Sequence, residues 1–142
     1  MFYQTTVVLP VSRMKALISL LEKVEIQAKE KNMSDADVLA LRLSPDMFPF
    51  AKQIQIVSDN AKGMVSRLTG KEAPKMEDSE PTLADLRTRL ESTIAYVESF
   101  SEEDFSDAAT TEIRISYFPG LHMVGQDYVT GYALPNFFFH VV

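Results

Sequence analysis

The strongest constraint on the fold is an apolar pattern that runs from Met47 to Leu68. Its hydrophobic positions recur at alternating spacings of three and four residues: Met47, Phe50, Ile54, Val57, Ala61, Met64 and Leu68. This spacing places them on one face of an α-helix. A helix with such a face must bury it against other elements, so the segment predicts a packed helical domain.

The residues at the two ends of this segment predict where the helix begins and ends. Asp46 is the expected N-cap, which makes Pro49 the third helical residue, where its missing N–H has no intrahelical acceptor. Gly70 suits the left-handed conformation that closes many helices. Gly63 lies inside the helix, where glycine costs about 1 kcal/mol relative to alanine. It either permits close approach of a neighbour or is a tolerated defect.

Two further segments carry the same helical spacing. The first helix should run to about Lys31, with Asn32 in its C-terminal turn. A helix that begins near Tyr3 and is kinked at Pro10 is favoured over one that begins at Pro10. Its apolar stripe comprises Val7, Val11, Met14, Ile18, Leu21 and Ala28.

The other segment follows a capping-box sequence at residues 82–85 and should end near Phe100. Its apolar positions are Leu83, Leu86, Leu90, Ile94 and Val97. A second capping box, Ser34 to Asp37, predicts a short helix, and residues 101–104 predict one more helical turn. Residues 71–81 are rich in charge and proline and predict an exposed connection.

The C-terminal third changes character. Residues 112–117 alternate polar and apolar side chains and predict a strand, Pro119-Gly120 predicts a turn, and residues 121–124 predict the returning strand. From Gln126, aromatic and apolar residues predict a fourth helix bent at Pro135. That helix ends within its own apolar face, so either it is truncated or a partner subunit covers it. The predicted fold is mainly α: an up-down-up-down four-helix bundle with a small β-hairpin before the last helix, in one domain over residues 1–142.

Composition excludes several classes of function. The net charge of −6 opposes binding to nucleic acid or to an anionic membrane surface. The chain has no cysteine, which excludes disulfides, thiolate zinc sites and cysteine nucleophiles. No segment has the length and hydrophobicity of a membrane span or the form of a secretion signal, so a cytoplasmic protein is expected.

Candidate chemistry centres on the two histidines. His122 and His140 lack the spacing that places two metal ligands on one helical face, and His122 is expected to face solvent on its strand. His140 lies among phenylalanines, where a metal or a buried hydrogen bond would satisfy its nitrogens. Gln53 and Asn60 flank the apolar stripe of their helix and could join His140 in a small polar pocket or a structural network. Asp59 is expected on the opposite, solvated side.

The remaining polar residues give no catalytic pattern. Acidic residues lie at helix starts and in loops, where capping and solvation account for them. No serine has a neighbouring histidine, and no glycine-rich phosphate loop occurs. The aromatic residues are expected to pack the core or a subunit interface, with an apolar ligand pocket as the alternative.

Two motifs resemble those of a known bacterial family. Residues 43–50, Leu-Ser-Pro-Asp-Met-Phe-Pro-Phe, with the segment that follows them, and residues 134–140, Leu-Pro-Asn-Phe-Phe-Phe-His, are similar to domain of unknown function 1993, a branch of the DinB/YfiT-like superfamily. The resemblance implies a four-helix bundle, often dimeric. Some members carry a divalent metal on three histidines and act in thiol transfer. It assigns His140 as a metal ligand, zinc or nickel being the expected metals, and places Asn60 near a second ligand position.

These observations lead to competing functional hypotheses. The first is a homodimeric binding or interaction module with a small-molecule ligand. The second is a DinB-like metal-dependent enzyme of the thiol-transferase type, with His140 as one ligand. A third is a carrier of an apolar small molecule in the aromatic region.

Overall fold

The computed structural model describes residues 1–142 and is mainly helical. The α-helices are α1 (Leu9–Glu30), α2 (Asp35–Leu39), α3 (Phe50–Thr69), α4 (Leu83–Glu98), α5 (Gly125–Tyr128) and α6 (Leu134–Val141). The strands are β1 (Glu112–Arg114) and β2 (His122–Val124), and a 3₁₀ turn spans Glu102–Phe105. No helix is both long enough and apolar enough to cross a bilayer.

Both proline-containing helices carry a π-helical turn just before the proline. The turn Gln4–Val8 leads into α1, and the N–H of Leu9 donates to the carbonyl of Gln4. The turn Val129–Ala133 joins α5 to α6 in the same way ahead of Pro135. Proline has no N–H to donate to the preceding turn of the helix, and a π turn accommodates one extra residue at that point. The expected kink at Pro10 and bend at Pro135 therefore take this form, and residues 125–141 make one continuous final helix.

The start of α3 differs from the prediction. Asp46 is not its N-cap, because the helix begins at Phe50 and the extended residue Pro49 precedes it. The residue before a proline avoids the α conformation, which keeps Phe48 out of the helix. Asp46 instead accepts a hydrogen bond from the Ser44 hydroxyl within the preceding turn.

The other predicted helix ends are confirmed. Both capping boxes form, at Ser34 with Asp37 and at Thr82 with Asp85. Gly70 closes α3 in the left-handed conformation, with φ 73°. Asn32, with φ 54°, follows the end of α1. Polar capping residues thus locate helix boundaries correctly where no proline interferes.

The predicted up-down-up-down order is wrong, because α3 and α4 run parallel. Residues in the middle of one helix contact the middle of the other, and the C-terminal ends also meet. Asp59 binds Arg89, and Lys71 just beyond α3 lies over the ring of Phe100 just beyond α4. On the other side of α4, Lys15 and Glu22 of α1 bind Glu98 and Arg87, which is an antiparallel arrangement.

The final helix is antiparallel to α3, since its late residue His140 meets Gln53 and its early residue Tyr128 meets Arg67. The helix directions are therefore up, down, down and up. The physical reason is the connection after α3, which returns along that helix: Lys62 contacts Pro74, and Gln55, nearer the start of α3, contacts Glu80. This return allows α4 to start beside the beginning of α3.

The core lies where the predicted apolar faces meet. On α3, Ile54, Val57, Ala61, Met64 and Leu68 are all buried, as the periodicity predicts. Of the other two predicted positions, Phe50 is half-buried at the start of the helix, and the half-buried Met47 lies before it. The predicted stripe of α4 is buried in full, and that of α1 is buried except for the half-buried Ile18. Of the three consecutive phenylalanines, Phe137 is fully buried and Phe139 is exposed.

The predicted hairpin is present with shorter strands. Ile113 pairs with Met123 in the antiparallel register, and Ile113 is buried against the helices. Gly125, directly after β2, donates its N–H to the carbonyl of Thr111 at 2.9 Å. This close approach fixes the hairpin at the start of the final helix.

Candidate functional site

Polar side chains line the contact between α3 and the final helix in three successive pairs. Gln53 contacts His140 at 2.6 Å, Asn136 donates to Asn60 at 3.0 Å, and Arg67 donates to the Tyr128 hydroxyl at 3.0 Å. Because the two helices are antiparallel, the pairs follow one another along a single seam. The prediction that Gln53 and Asn60 face a neighbouring helix is confirmed, but only Gln53 reaches His140.

The first pair fixes the orientation of the imidazole. The amide nitrogen of Gln53 donates to the carbonyl of Phe48 at 3.1 Å, so the amide oxygen faces Nδ1 of His140. An amide oxygen only accepts, so the proton of the neutral imidazole lies on Nδ1. The Nε2 atom then carries a free lone pair. This arrangement is typical of a histidine whose second nitrogen accepts a proton, a hydrogen bond or a metal.

Two exposed aromatic residues belong to this part of the seam: Phe139, whose ring lies beside the imidazole, and Phe48, whose carbonyl binds Gln53. The exposed fractions of Phe48 and Phe139 are 53% and 66%, and the Phe139 ring centroid lies 5.0 Å from that of His140. His140 itself is half-buried, not enclosed among phenylalanines as the sequence predicts. We call Phe48, Gln53, Phe139 and His140 the His140 corner. Burial lowers the pKa of His140 below its usual 6.5.

The lowered pKa gives the first testable prediction. In a His122→Asn variant, whose only imidazole is that of His140, the ¹⁵N and ¹H NMR signals should titrate with a midpoint below 6.5. Because the folded protein disfavours the imidazolium, the protein should lose stability as the pH falls through 6.5 toward the folded-state pKa. A midpoint at or above 6.5 would contradict the assignment of a neutral, partly desolvated imidazole.

The three-histidine metal site expected from the resemblance does not fit the side chains present. Nowhere in residues 1–142 do three or more His, Cys, Asp or Glu side chains come together in a group that could hold a metal ion. The side chain that contacts His140 is the amide of Gln53, and Asn60 is paired with Asn136. His122 is exposed on β2, as predicted, and lies in a different element.

An aromatic cluster occupies the opposite end of the seam. The Tyr117 and Tyr132 hydroxyls are 2.7 Å apart, and the Arg67 guanidinium lies 5.9 Å from the centroid of the Tyr128 ring. Burial raises the pKa of Tyr128, which the neighbouring Arg67 partly offsets. Burial and the Tyr117 hydrogen bond raise the pKa of Tyr132 as well. The phenols are therefore neutral hydrogen-bonding groups that hold the hairpin on the final helix.

Sequence reasoning missed a buried arginine. The Arg89 side chain is 2% exposed and binds Asp59 at 2.9 Å, Asp78 at 3.1 Å and Glu80 at 2.8 Å. Asp59 is exposed as predicted, but it is ion-paired. The acidic residues at 78 and 80 were expected to be solvated loop residues. The sequence contained one indication of these ion pairs: the acidic connection directly follows α3, which carries Lys52 and Lys62.

The structure thus defines a mainly helical protein with an antiparallel hairpin and one oriented histidine at a helix–helix seam. The chain belongs to the domain of unknown function 1993 family, whose model matches residues 2–142. The crystal structure of a DinB family member from Shewanella denitrificans at 1.83 Å resolution has a TM-score of 0.94 and 40% identity, and the match covers 99% of this chain and 80% of that one. This similarity confirms a DinB-like fold. The comparison with curated proteins gave no match.

Proposed function

We propose that the protein is a homodimeric binding or interaction module whose ligand site is the His140 corner. The observation that carries the proposal is the hydrogen-bond chain from the Phe48 carbonyl through Gln53 to His140, which leaves Nε2 as an acceptor on an imidazole that lies 5.0 Å from the exposed ring of Phe139. A side chain held in one tautomer and one orientation is costly to maintain on a surface, and binding sites use such groups to fix a ligand.

The chemistry of the corner indicates the class of ligand. Nε2 of the neutral imidazole accepts a hydrogen bond, and the exposed ring of Phe139 offers apolar contact. A matching ligand carries a hydroxyl or N–H donor next to an apolar or aromatic group.

Phenol and anisole test this proposal as matched probes. Both carry one aromatic ring, but only phenol donates a hydrogen bond. Phenol should shift the His140 ring signals in NMR titrations and bind at least about fivefold more tightly than anisole, the margin expected for one net hydrogen bond of about 1 kcal/mol. A His140→Phe variant should lose this preference. Equal affinity of phenol and anisole for the unaltered protein would refute a role for Nε2 in binding.

The homodimer is proposed on the apolar side chains at the surface outside the His140 corner, among them Leu20 and Ile26 of α1. Large exposed apolar side chains are typical of surfaces that associate. Light scattering should give a mass of twice the 16.0 kDa of one chain. A monomer mass at micromolar concentration would refute the dimer without affecting the phenol result. The cytoplasmic location, and the absence of nucleic acid and membrane partners, stay predictions from charge and composition.

The metal-dependent enzyme stays a prediction with weaker support. His140 Nε2 is oriented as a metal ligand would be, but no further His, Cys, Asp or Glu of the chain joins it. The side chains around His140 therefore favour binding of a ligand without a metal ion. Stoichiometric zinc or nickel in protein purified without chelator, lost in His140→Ala, would reverse this preference.

A further inference from the structure

The connection between α3 and α4 is bound to those helices like an extended peptide. We call residues 72–80, Glu-Ala-Pro-Lys-Met-Glu-Asp-Ser-Glu, the strap. It has no regular secondary structure, and none of its residues belongs to the hydrophobic core. Its attachment must therefore depend on polar contacts.

These polar contacts all have the same direction, with donors on the helices and acceptors on the strap. Lys62 donates to the carbonyl of Pro74 at 3.3 Å, and Tyr96 donates to that of Glu72 at 3.1 Å. The sulfur of Met76, a weak acceptor, lies 3.8 Å and 3.6 Å from the hydroxyl oxygens of Ser58 and Thr93, which also bond to each other and to the Arg89 carbonyl. The helices thus present a row of donors that an extended chain with free carbonyls satisfies.

Charge supplies the strongest part of this attachment. Arg89 binds Asp78 and Glu80, Lys52 binds Asp78 at 2.7 Å, and Gln55 binds Glu80 at 2.8 Å. Hydrogen bonds to charged groups are worth about 1.5–3 kcal/mol each, more than neutral ones. Glu80, whose side chain is 10% exposed, supplies the strongest of these contacts, and the more exposed Asp78 adds a weaker one.

The surface under the strap differs from the rest of the core. Ser58 and Thr93 are fully buried with their hydroxyls 2.7 Å apart, and Lys62 and Arg89 are 6% and 4% exposed. The Nε of Arg89 is buried and has no hydrogen-bond partner. This groove between the parallel helices is polar and cationic.

We propose that the strap is a charge-held lid that opens as a unit while the helical core stays folded. Opening breaks only the acceptor contacts of residues 72–80 and exposes the donors of Arg89, Lys62, Ser58 and Thr93. Closing restores them through the carboxylates of Asp78 and Glu80. Since no apolar core side chain leaves its place, the opening free energy is smaller than that of global unfolding.

Thiol labelling tests this proposal, because the chain has no cysteine of its own. Ser58→Cys places a thiol under the strap, and Val57→Cys places one next to it in sequence but in the apolar core; both positions are 0% exposed. Under native conditions an aromatic disulfide reagent should label the Ser58→Cys thiol at least about tenfold faster than the Val57→Cys thiol. Tenfold corresponds to about 1.4 kcal/mol in opening free energy.

Removing the charges of the strap should affect only one of the two reporters. Asp78→Asn with Glu80→Gln should accelerate labelling of the Ser58→Cys thiol about tenfold or more and leave the Val57→Cys rate within about twofold. Glu98→Gln, which removes an exposed ion pair with Lys15 away from the strap, is the matched control and should change neither rate. Thr93→Cys serves as a second reporter if Ser58→Cys does not fold. Equal labelling rates at the two positions, or no effect of the double charge variant, would overturn the proposal.

Discussion

Replacing Gly125 with alanine should lower the free energy of unfolding by about 3 kcal/mol or more, at the upper end of the range for overpacked core positions. A Cβ at this position would lie 1.8 Å from the carbonyl oxygen of Ala108, which is backbone and cannot move aside as a side chain can. Relief requires residues 108–111 to move away from Gly125, which breaks the Gly125–Thr111 hydrogen bond. Urea unfolding followed by far-UV circular dichroism measures the loss.

Gly63→Ala is the matched control for this substitution. Its Cβ would approach only the end of the flexible Arg67 side chain, on the same helix. The variant should change the free energy of unfolding by less than about 1 kcal/mol, because the higher helix propensity of alanine is offset where the Arg67 guanidinium must shift from the Tyr128 hydroxyl. The neighbour that approaches Gly63 closely is therefore a side chain of its own helix. Equal unfolding free energies for the Gly125→Ala and unaltered proteins would show that the hairpin is not seated as described.

Arg89→Met should lower the free energy of unfolding by about 3 kcal/mol, the lower end of the range for a broken buried ion pair. Three carboxylates lose their common partner, but Asp59 and Asp78 reach solvent and limit the loss. Burial works to lower the pKa of Arg89, and the hydrogen bond to Glu80 with the surrounding carboxylates raises it overall, so the guanidinium is charged at every pH of interest. Chemical denaturation at neutral pH is the measurement.

Arg87→Met provides the comparison on the same helix. Arg87 lies 3.6 Å and 3.7 Å from Glu22 and Glu25, and its side chain is more accessible than that of Arg89. Pairs of this kind contribute about 0–1 kcal/mol. A loss in Arg89→Met no larger than that in Arg87→Met would mean that the strap is not anchored through Arg89.

Local patterns in the sequence predicted the helices and their buried faces because one helix face is decided by residues three and four positions apart. Leu83 to Val97 on α4 and Ile54 to Leu68 on α3 follow this rule without exception. The capping boxes at Ser34 and Thr82 succeed for the same reason, since cap and partner lie within four residues. Asp46 failed because proline geometry at Pro49 overrode the preference of a capping side chain.

Helix order and the site could not be read in this way because they depend on contacts between distant residues. The sequence of the connection 71–81 does not show that it runs back along α3, since this depends on its contacts with side chains of α3 and with Arg89 of α4. Gln53 and Asn60 were correctly placed on a buried face, but only the direction of the final helix decides which of them meets His140. The tautomer of His140 depends in turn on the Phe48 carbonyl, a backbone atom without any signature in the sequence.

The π-helical turn at 129–133 determines which aromatic side chain occupies the seam. One additional residue wound into a helix displaces everything after it by about 100° around the axis. In an unbroken α-helix the phase would bring Phe139, rather than His140, opposite Gln53. The polar nature of that contact is therefore a consequence of the π-helical turn that precedes it. A family member with the same residues but a regular α-helix at this point would place a phenylalanine ring against α3.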